Sequence, residues 1–306
     1  HFNKESLIGC FHELKGKKAV GIDKQTKEEY GLNLESNIED LIQRMKQMSY
    51  LPQPAKEVLI PKADGKYRKL GIACIEDKIV QAMTAKVLEA IYEPLFRESS
   101  YGFRPNRNCH GAVKAVLNQM YGAWQNIILD IDLENFFGSI DHKKLLAILR
   151  LKIEDETFLR YIVRMLKSGI LSQDCFRQTE TGTAQGSICS PVLANIFAHY
   201  ALDIWFEDTV AKHLSGPARL VRYSDDFVIC CTNEQDANRI MIALPKRLAR
   251  FSLKMNTAKS RAVHLNKNRY RLGNKQGSFD FLGFTFYLSH NQRGTVVPKL
   301  KSSGKR

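Results

Sequence analysis

The chain has 306 residues, 44% of them hydrophobic, and Lys plus Arg outnumber Asp plus Glu by 46 to 32, a formal net charge of +14. That excess of positive charge favours a polyanionic partner. No apolar run approaches the roughly 18 residues of a membrane span and the N-terminus lacks a signal peptide's apolar core, so a soluble chain is expected. In chain order, helical spacing is read at 35–48, a basic hairpin at 55–72 around Ala63-Asp64-Gly65, and helices at 76–92 and 108–121. A buried strand ending in acid follows from Asn126, then helical spacing at 142–168 and an amphipathic helix from Ser190 to about Val210, opened by Ser-Pro. Paired strands flank residues 224–226, a helix fits 234–250, and strands fit 260–265 and 279–288. Mixed helices and strands around a short antiparallel core predict the α+β class, and the length predicts two subdomains. There is no internal repeat.

Seven cysteines, at 10, 74, 109, 175, 189, 230 and 231, are odd in number and scattered, as expected for small core hydrophobes in a reducing cytosol. Cys230 and Cys231 are adjacent in a strand and point to opposite faces, which argues against a bridge between them. The chain carries no HExxH and no CxxC pair, so zinc is a poor candidate.

The chemistry concentrates in carboxylates. Tyr223-Ser224-Asp225-Asp226 sets two adjacent acids at a tight turn between two apolar runs, where like charges repel and burial raises a pKa unless a cation intervenes. Upstream, Asp130 and Asp132 alternate with Leu129, Ile131 and Leu133, so strand geometry puts both acids on one face, and only one of them need be a ligand. A carboxylate from that strand, added to the acidic turn, makes an oxygen-rich site suited to magnesium or manganese. Such a site fits two-metal phosphoryl transfer, in which ions about 3.5–4 Å apart clamp the attacking and leaving oxygens.

These residues carry a family resemblance. The acidic turn, the stretch 130–137, and Thr183-Ala184-Gln185-Gly186-Ser187 running into residues 190–197 resemble the motifs of reverse transcriptases, more narrowly those of bacterial group II intron maturases. Residues 17–23, the pair 60–62 and 67–72, then 100–105, 256–259 and 281–284 follow in the family's order, so the resemblance covers nearly the whole chain. Ser224 stands where the family more often has Ala, and Ala184 where it more often has Pro; neither change removes a metal ligand or a donor, so both are expected to tune activity rather than abolish it.

The resemblance implies a right-hand polymerase fold with a small antiparallel palm sheet flanked by helices. Residues 1–106, including an N-terminal extension, and 140–189 would form the fingers, and 107–139 and 190–306 the palm. The residues after Phe284 are too few for the helical thumb, so the chain is expected to be a fingers and palm piece of a larger protein with weak processivity. The implied activity is RNA-directed DNA polymerisation in a bacterial cytoplasm, with two magnesium ions, or manganese, as cofactors. Asp132 and Asp225 would bind both ions, Asp226 would support them, and the Leu133 carbonyl would help. The implied partners are intron or template RNA, a DNA primer or target and deoxynucleoside triphosphates, with no membrane; a homodimer is a further candidate.

Further residues take roles by the same resemblance, each beside a plainer reading. Lys62 and Arg68 would grip the incoming triphosphate, or belong to a solvated basic turn with Lys66 and Lys69. Phe136 would pack under the incoming sugar and leave little space for a 2′-hydroxyl, while Phe137 is read as core. Gln185 would approach the nucleotide or be a loop amide, and Lys259 would support nucleotide binding or be a surface lysine. Phe281, Leu282 and Gly283 would hold the primer's 3′ end, with Gly283 permitting close backbone approach, or form a core strand. Arg104 and Arg107 are candidates for template phosphate contacts. Two other readings stand beside polymerisation: an RNA-binding maturase module acting without catalysis, and a bacterial reverse transcriptase of a defence or diversification lineage.

Overall fold

A computed structural model describes residues 1–16, 19–61, 65, 67–172, 175–177, 181–183 and 186–304, and divides into two units, His1–Leu95 with Phe137–Ala194, and Phe96–Phe136 with Asn195–Arg306. In chain order the elements are α1 (Lys4–Glu13), α2 (Lys27–Gly31), α3 (Leu34–Lys46), β1 (Ala55–Pro61), β2 (Tyr67–Ile72), α4 (Ile75–Tyr92), α5 (Cys109–Gly122) and β3 (Gln125–Ile131). Next come α6 (Phe136–Ser139), α7 (His142–Leu149), α8 (Glu156–Lys167), β4 (Ile170–Ser172), β5 (Cys175–Arg177) and α9 (Ser190–Ala198), which runs into π-helical stretches at His199–Asp203 and Trp205–Val210. The rest is β6 (Ala218–Tyr223), β7 (Asp226–Cys231), α10 (Glu234–Arg250), β8 (Arg261–Asn266), α11 (Lys267–Arg271), β9 (Phe279–Phe281), β10 (Phe284–His290) and β11 (Val296–Ser302). Helices mixed with small, mostly antiparallel sheets make the fold α+β.

In the first unit, helices α1, α3 and α4 bury Leu7, Cys10, Ile38, Leu41, Ile79 and Val80 against one another. Its sheet has the order β2-β1-β4-β5, with β1 antiparallel to β2 and parallel to β4. Asp77 on α4 is buried and accepts hydrogen bonds from the Tyr50 hydroxyl and the Gln53 amide. The tip of the basic hairpin, residues 62–64 and 66, lies outside the described residues, as do Lys17 and Lys18.

The second unit carries the order β6-β7-β3-β8 and a smaller sheet, β11-β10-β9. Its core joins α5 to both sheets through Val116, Met120, Ile128, Val228, Cys230, Phe279 and Phe286. Cys10, Cys74, Cys189, Cys230 and Cys231 are buried free thiols, in keeping with a packing role. Among the described residues no helix is long and apolar enough to cross a membrane.

Three elements differ from the sequence expectation, each for a local reason. The helix expected over 142–168 is two, because the Asp155 side chain accepts the Thr157 and Phe158 amides and starts α8 afresh. The helix expected from Ser190 widens to π geometry at His199, where Arg247 donates to the Tyr200 and Ala201 carbonyls. The strand expected over 279–288 is the hairpin β9–β10, turned by Leu282 at φ 50° and Gly283 at φ 80°. Positive φ at both central residues is what a two-residue hairpin of this twist requires. Gly283 thus meets the turn's need for a positive φ, and a Cβ built there meets none of the chain's own atoms within 4 Å.

Candidate active site

The acidic residues gather at one end of the β6-β7-β3-β8 sheet. Antiparallel pairing of β3 with β7 runs to Ile131 opposite Phe227, so one step further Asp132 faces Asp226 on the same side of the sheet. Asp225 sits in the two-residue turn between Tyr223 and Asp226. Asp130 lies two residues before Asp132 on that face and is engaged by Arg261, Nε to Oδ2 3.4 Å, which distinguishes the two strand acids the alternation leaves equivalent.

The loop before β8 buttresses Asp132. Asn256 N donates to the Asp132 carbonyl at 2.8 Å, Asp132 N donates to Ser260 Oγ at 3.1 Å, and Leu133 forms a bridge with Met255. This clasp brings Lys259 Nζ to 3.7 Å from Asp132 Oδ2, with both side chains open to solvent. Lys259 is thus a surface lysine that stands beside the strand acid.

Electrostatic strain collects on Asp226. Although one side of it is exposed, the protein packed around its carboxyl and the neighbouring Asp225, Asp132 and Asp130 push its pKa up to about 6. Asp130 is raised as well, by burial first, with Arg261 partly offsetting it. A cation would relieve this crowding, and the donors are oxygens, the class suited to magnesium or manganese. Among the described residues no group of three His, Cys, Asp or Glu side chains is drawn together closely enough to hold a metal ion by itself.

Beneath the turn lies a buried brace that the motif reading passed over. Arg222, 1% exposed, donates Nε to Asp203 Oδ1 at 2.8 Å and Nη2 to Asp203 Oδ2 at 2.6 Å. It also donates Nη1 to Asn195 Oδ1 and to the Ser224 carbonyl, both at 3.0 Å, and Nη2 to Ser100 Oγ at 2.7 Å. Burial alone would raise the Asp203 carboxyl, but Arg222 and His199 outweigh it and hold it below the usual carboxylate range. Asn195 Nδ2 reaches back to the Gly102 carbonyl at 2.6 Å, and Gly102 lies so close to the turn that a Cβ there would meet Ser224 N at 2.5 Å. Ser224 holds φ 60° with its buried Oγ unpartnered among the described residues. A charged residue inside the apolar run Arg219-Leu220-Val221-Arg222-Tyr223 was the available signal for this brace.

The other sequence candidates fall differently. Lys62, Ala184 and Gln185 lie outside the described residues. Arg68 is exposed on β2 opposite Ile60, whereas its neighbour Lys69 pairs with Glu57 at 3.4 Å. Phe136, which opens α6, is buried and Phe137 is half-buried. Arg104 is buried and donates to the Arg97 and Ser100 carbonyls, and Arg107 is tied to Glu98 at 2.7 Å. Phe281 is buried in β9, with Leu282 and Gly283 forming the turn that follows.

Comparison with known proteins accords with this arrangement. Residues 60–286 match the family model described as reverse transcriptase (RNA-dependent DNA polymerase). An uncharacterized 91 kDa protein in the cob intron of Schizosaccharomyces pombe is 36% identical over 228 residues, 73% of this chain and 27% of that protein. The group II intron-encoded protein LtrA of Lactococcus lactis is 38% identical over 187 residues, 60% of this chain and 30% of LtrA. Protein YkfC of Escherichia coli is 33% identical over 215 residues, 68% of this chain and 55% of YkfC. The chain thus spans less than a third of the first two relatives. With the family model covering most of its length and the acidic turn and strand in place, this chain belongs to the reverse transcriptase family.

Proposed function

We propose that the chain is the RNA-directed DNA polymerase domain of a group II intron-encoded protein, copying RNA into cDNA and binding intron RNA in support of splicing and retrohoming. The observation that carries the reading is the convergence of Asp132, Asp225 and Asp226 at one sheet end, with Lys259 at 3.7 Å from Asp132. In this reading the second unit is a palm and the first is fingers, in a right-hand arrangement, and a single copy carries every residue used. The names of the relatives support the intron assignment.

Asp132 and Asp225 would hold two divalent cations, magnesium or manganese, with Asp226 and the Leu133 carbonyl in support. When bound, these cations lower the pKa of a primer 3′-hydroxyl and offset charge on the triphosphate and leaving pyrophosphate. The protein's own part is positioning and electrostatics. Lys259 balances Asp132 and offers a cation to a phosphate oxygen, and Lys62 and Arg68 bind the triphosphate, Arg68 by its forked guanidinium. Phe136 restricts the space for a 2′-hydroxyl, Gln185 approaches the nucleotide, and Arg107 with the Phe281-Leu282-Gly283 hairpin contacts template and primer.

Primer extension on an RNA template with magnesium tests this. Asp225→Asn is expected to lower extension by several orders of magnitude, leaving RNA affinity largely intact, and deoxynucleotides are expected to be used over ribonucleotides. Extension by Asp225→Asn at near wild-type rate overturns the assignment.

A further inference from the structure

Away from the acidic turn, the second unit presents a basic and aromatic surface at the opposite end of the same sheet. Trp124 precedes the first residue of β3 and Asp132 follows its last, so about 25 Å of strand separates them at the usual rise per residue. Trp124 is 60% exposed, a large apolar ring left in solvent. Its surroundings are cationic: the Arg271 guanidinium lies over the ring at 5.1 Å and the Lys267 ammonium at 6.0 Å. Lys267 is buried, donates to the Tyr121 carbonyl, and is lowered in pKa by burial and by Arg271, so the cluster holds its positive charges at an electrostatic cost.

Residues 266–276, Asn-Lys-Asn-Arg-Tyr-Arg-Leu-Gly-Asn-Lys-Gln, contain four cations and no acid. Arg269, Arg271 and Lys275 are exposed, and among the described residues none of the three pairs with a carboxylate. Elsewhere in the same unit exposed cations do find acids, as Lys254 finds Glu134 at 2.9 Å and Arg97 finds Asp208. Unneutralised cations around an open indole present what an unpaired nucleic-acid segment needs, charge for its phosphates and an aromatic face or guanidinium plane for a base. An apolar protein partner would be served by the ring but would leave these charges uncompensated, whereas an unpaired strand brings phosphates and bases together.

We propose that Trp124 and the Arg269, Arg271 and Lys275 cluster form a second RNA-docking site, which takes an unpaired RNA segment by stacking a base on Trp124 and pairing its phosphates with the cations. The proposal rests on the reading that this chain handles RNA, but not on its polymerising: a strand seated here is remote from the carboxylates and is anchored rather than extended.

The chain has two tryptophans, Trp124 and Trp205, so Trp205→Phe isolates the emission of Trp124. The test titrates this variant with an unstructured oligouridylate in magnesium-free buffer, reading Trp124 emission alongside the anisotropy of a labelled oligonucleotide. Quenching in step with anisotropy is expected. Arg269→Glu with Arg271→Glu is expected to weaken binding about tenfold or more and flatten its salt dependence, with an unpaired change at Arg160 on α8, Arg160→Glu, weakening it about twofold at most. Unchanged Trp124 emission while anisotropy saturates overturns the site, and so does equal loss in the Arg160 variant. Equal quenching by the matching deoxyoligonucleotide overturns the assignment to RNA. The same titration on Asp225→Asn separates the two readings: the docking site stands if quenching persists, whatever that variant does in primer extension.

Discussion

Arg222 and Asp203 form a two-pronged ion pair, Nε to Oδ1 2.8 Å and Nη2 to Oδ2 2.6 Å, with neither residue open to solvent. The same guanidinium holds the Ser224 carbonyl, so the pair fixes the turn that carries Asp225. Removing one partner leaves a buried charge uncompensated, which costs about 3–5 kcal/mol. Arg222→Met is therefore expected to lower unfolding stability by that amount in urea, and the double variant Arg222→Met with Asp203→Leu to recover part of it.

Two buried acids give opposite pH slopes. Asp77 is pushed up to about 6, chiefly by burial and against the Tyr50 and Gln53 hydrogen bonds. With its folded pKa above the unfolded value, its contribution is present in full below about pH 4 and is lost as pH rises through about 6, on the order of 3 kcal/mol. Asp203 is lowered, so its contribution is present above about pH 4 and is lost as pH falls through its folded value. Asp77→Asn is expected to shrink the decline between pH 4 and 6 in urea titrations, the remainder coming from the raised Asp226 and Asp130, and to leave the acid limb due to Asp203 in place.

Ser224 carries a buried hydroxyl with no partner among the described residues. Ser224→Ala removes an unsatisfied polar atom without touching the carbonyl that Arg222 binds. The expected outcome is a gain of about 1 kcal/mol in unfolding stability, with primer extension retained.

Two glycines separate turn geometry from close packing. At Gly102 a Cβ would stand 2.5 Å from Ser224 N, a backbone atom, so Gly102→Ala must displace the acidic turn. Gly283→Ala meets open space and costs only the left-handed backbone, about 1–2 kcal/mol. Primer extension is expected to fall at least tenfold more in Gly102→Ala than in Gly283→Ala, with circular dichroism showing both folded.

Lys259 stands beside Asp132 with its side chain exposed, so losing it changes charge at the site more than stability. Lys259→Met is expected to raise the nucleotide KM about tenfold, with stability within about 0.5 kcal/mol of the wild type. Chelation is expected to abolish extension, and magnesium or manganese to restore it.

Much of this protein is legible residue by residue. Asp132, Asp225 and Asp226 declare themselves by position, two at a turn and one ending an apolar strand, because alternation and turn chemistry are local properties. The spans of α3, α4, α5 and α10 follow from apolar spacing for the same reason. The order of the motif blocks carries the family by itself.

Other features depend on partners distant in sequence. β11 exists because Val296, Pro298 and Leu300 meet β10, and β4 because Ala55 and Lys56 on β1 offer an edge to Ile170 and Leu171. Periodicity at 190–210 is helical throughout, yet the helix widens to π geometry where Arg247 takes two of its carbonyls, and within that stretch Asp203 meets Arg222. The sequence alone determined which carboxylates are candidates. Tertiary structure decided that Asp132 is clasped by the 255–260 loop while Asp130 pairs with Arg261, and that a buried arginine holds the turn. Spacing along a chain records which face a side chain takes, whereas a hydrogen-bonded brace exists only once strands and helices far apart in sequence have packed.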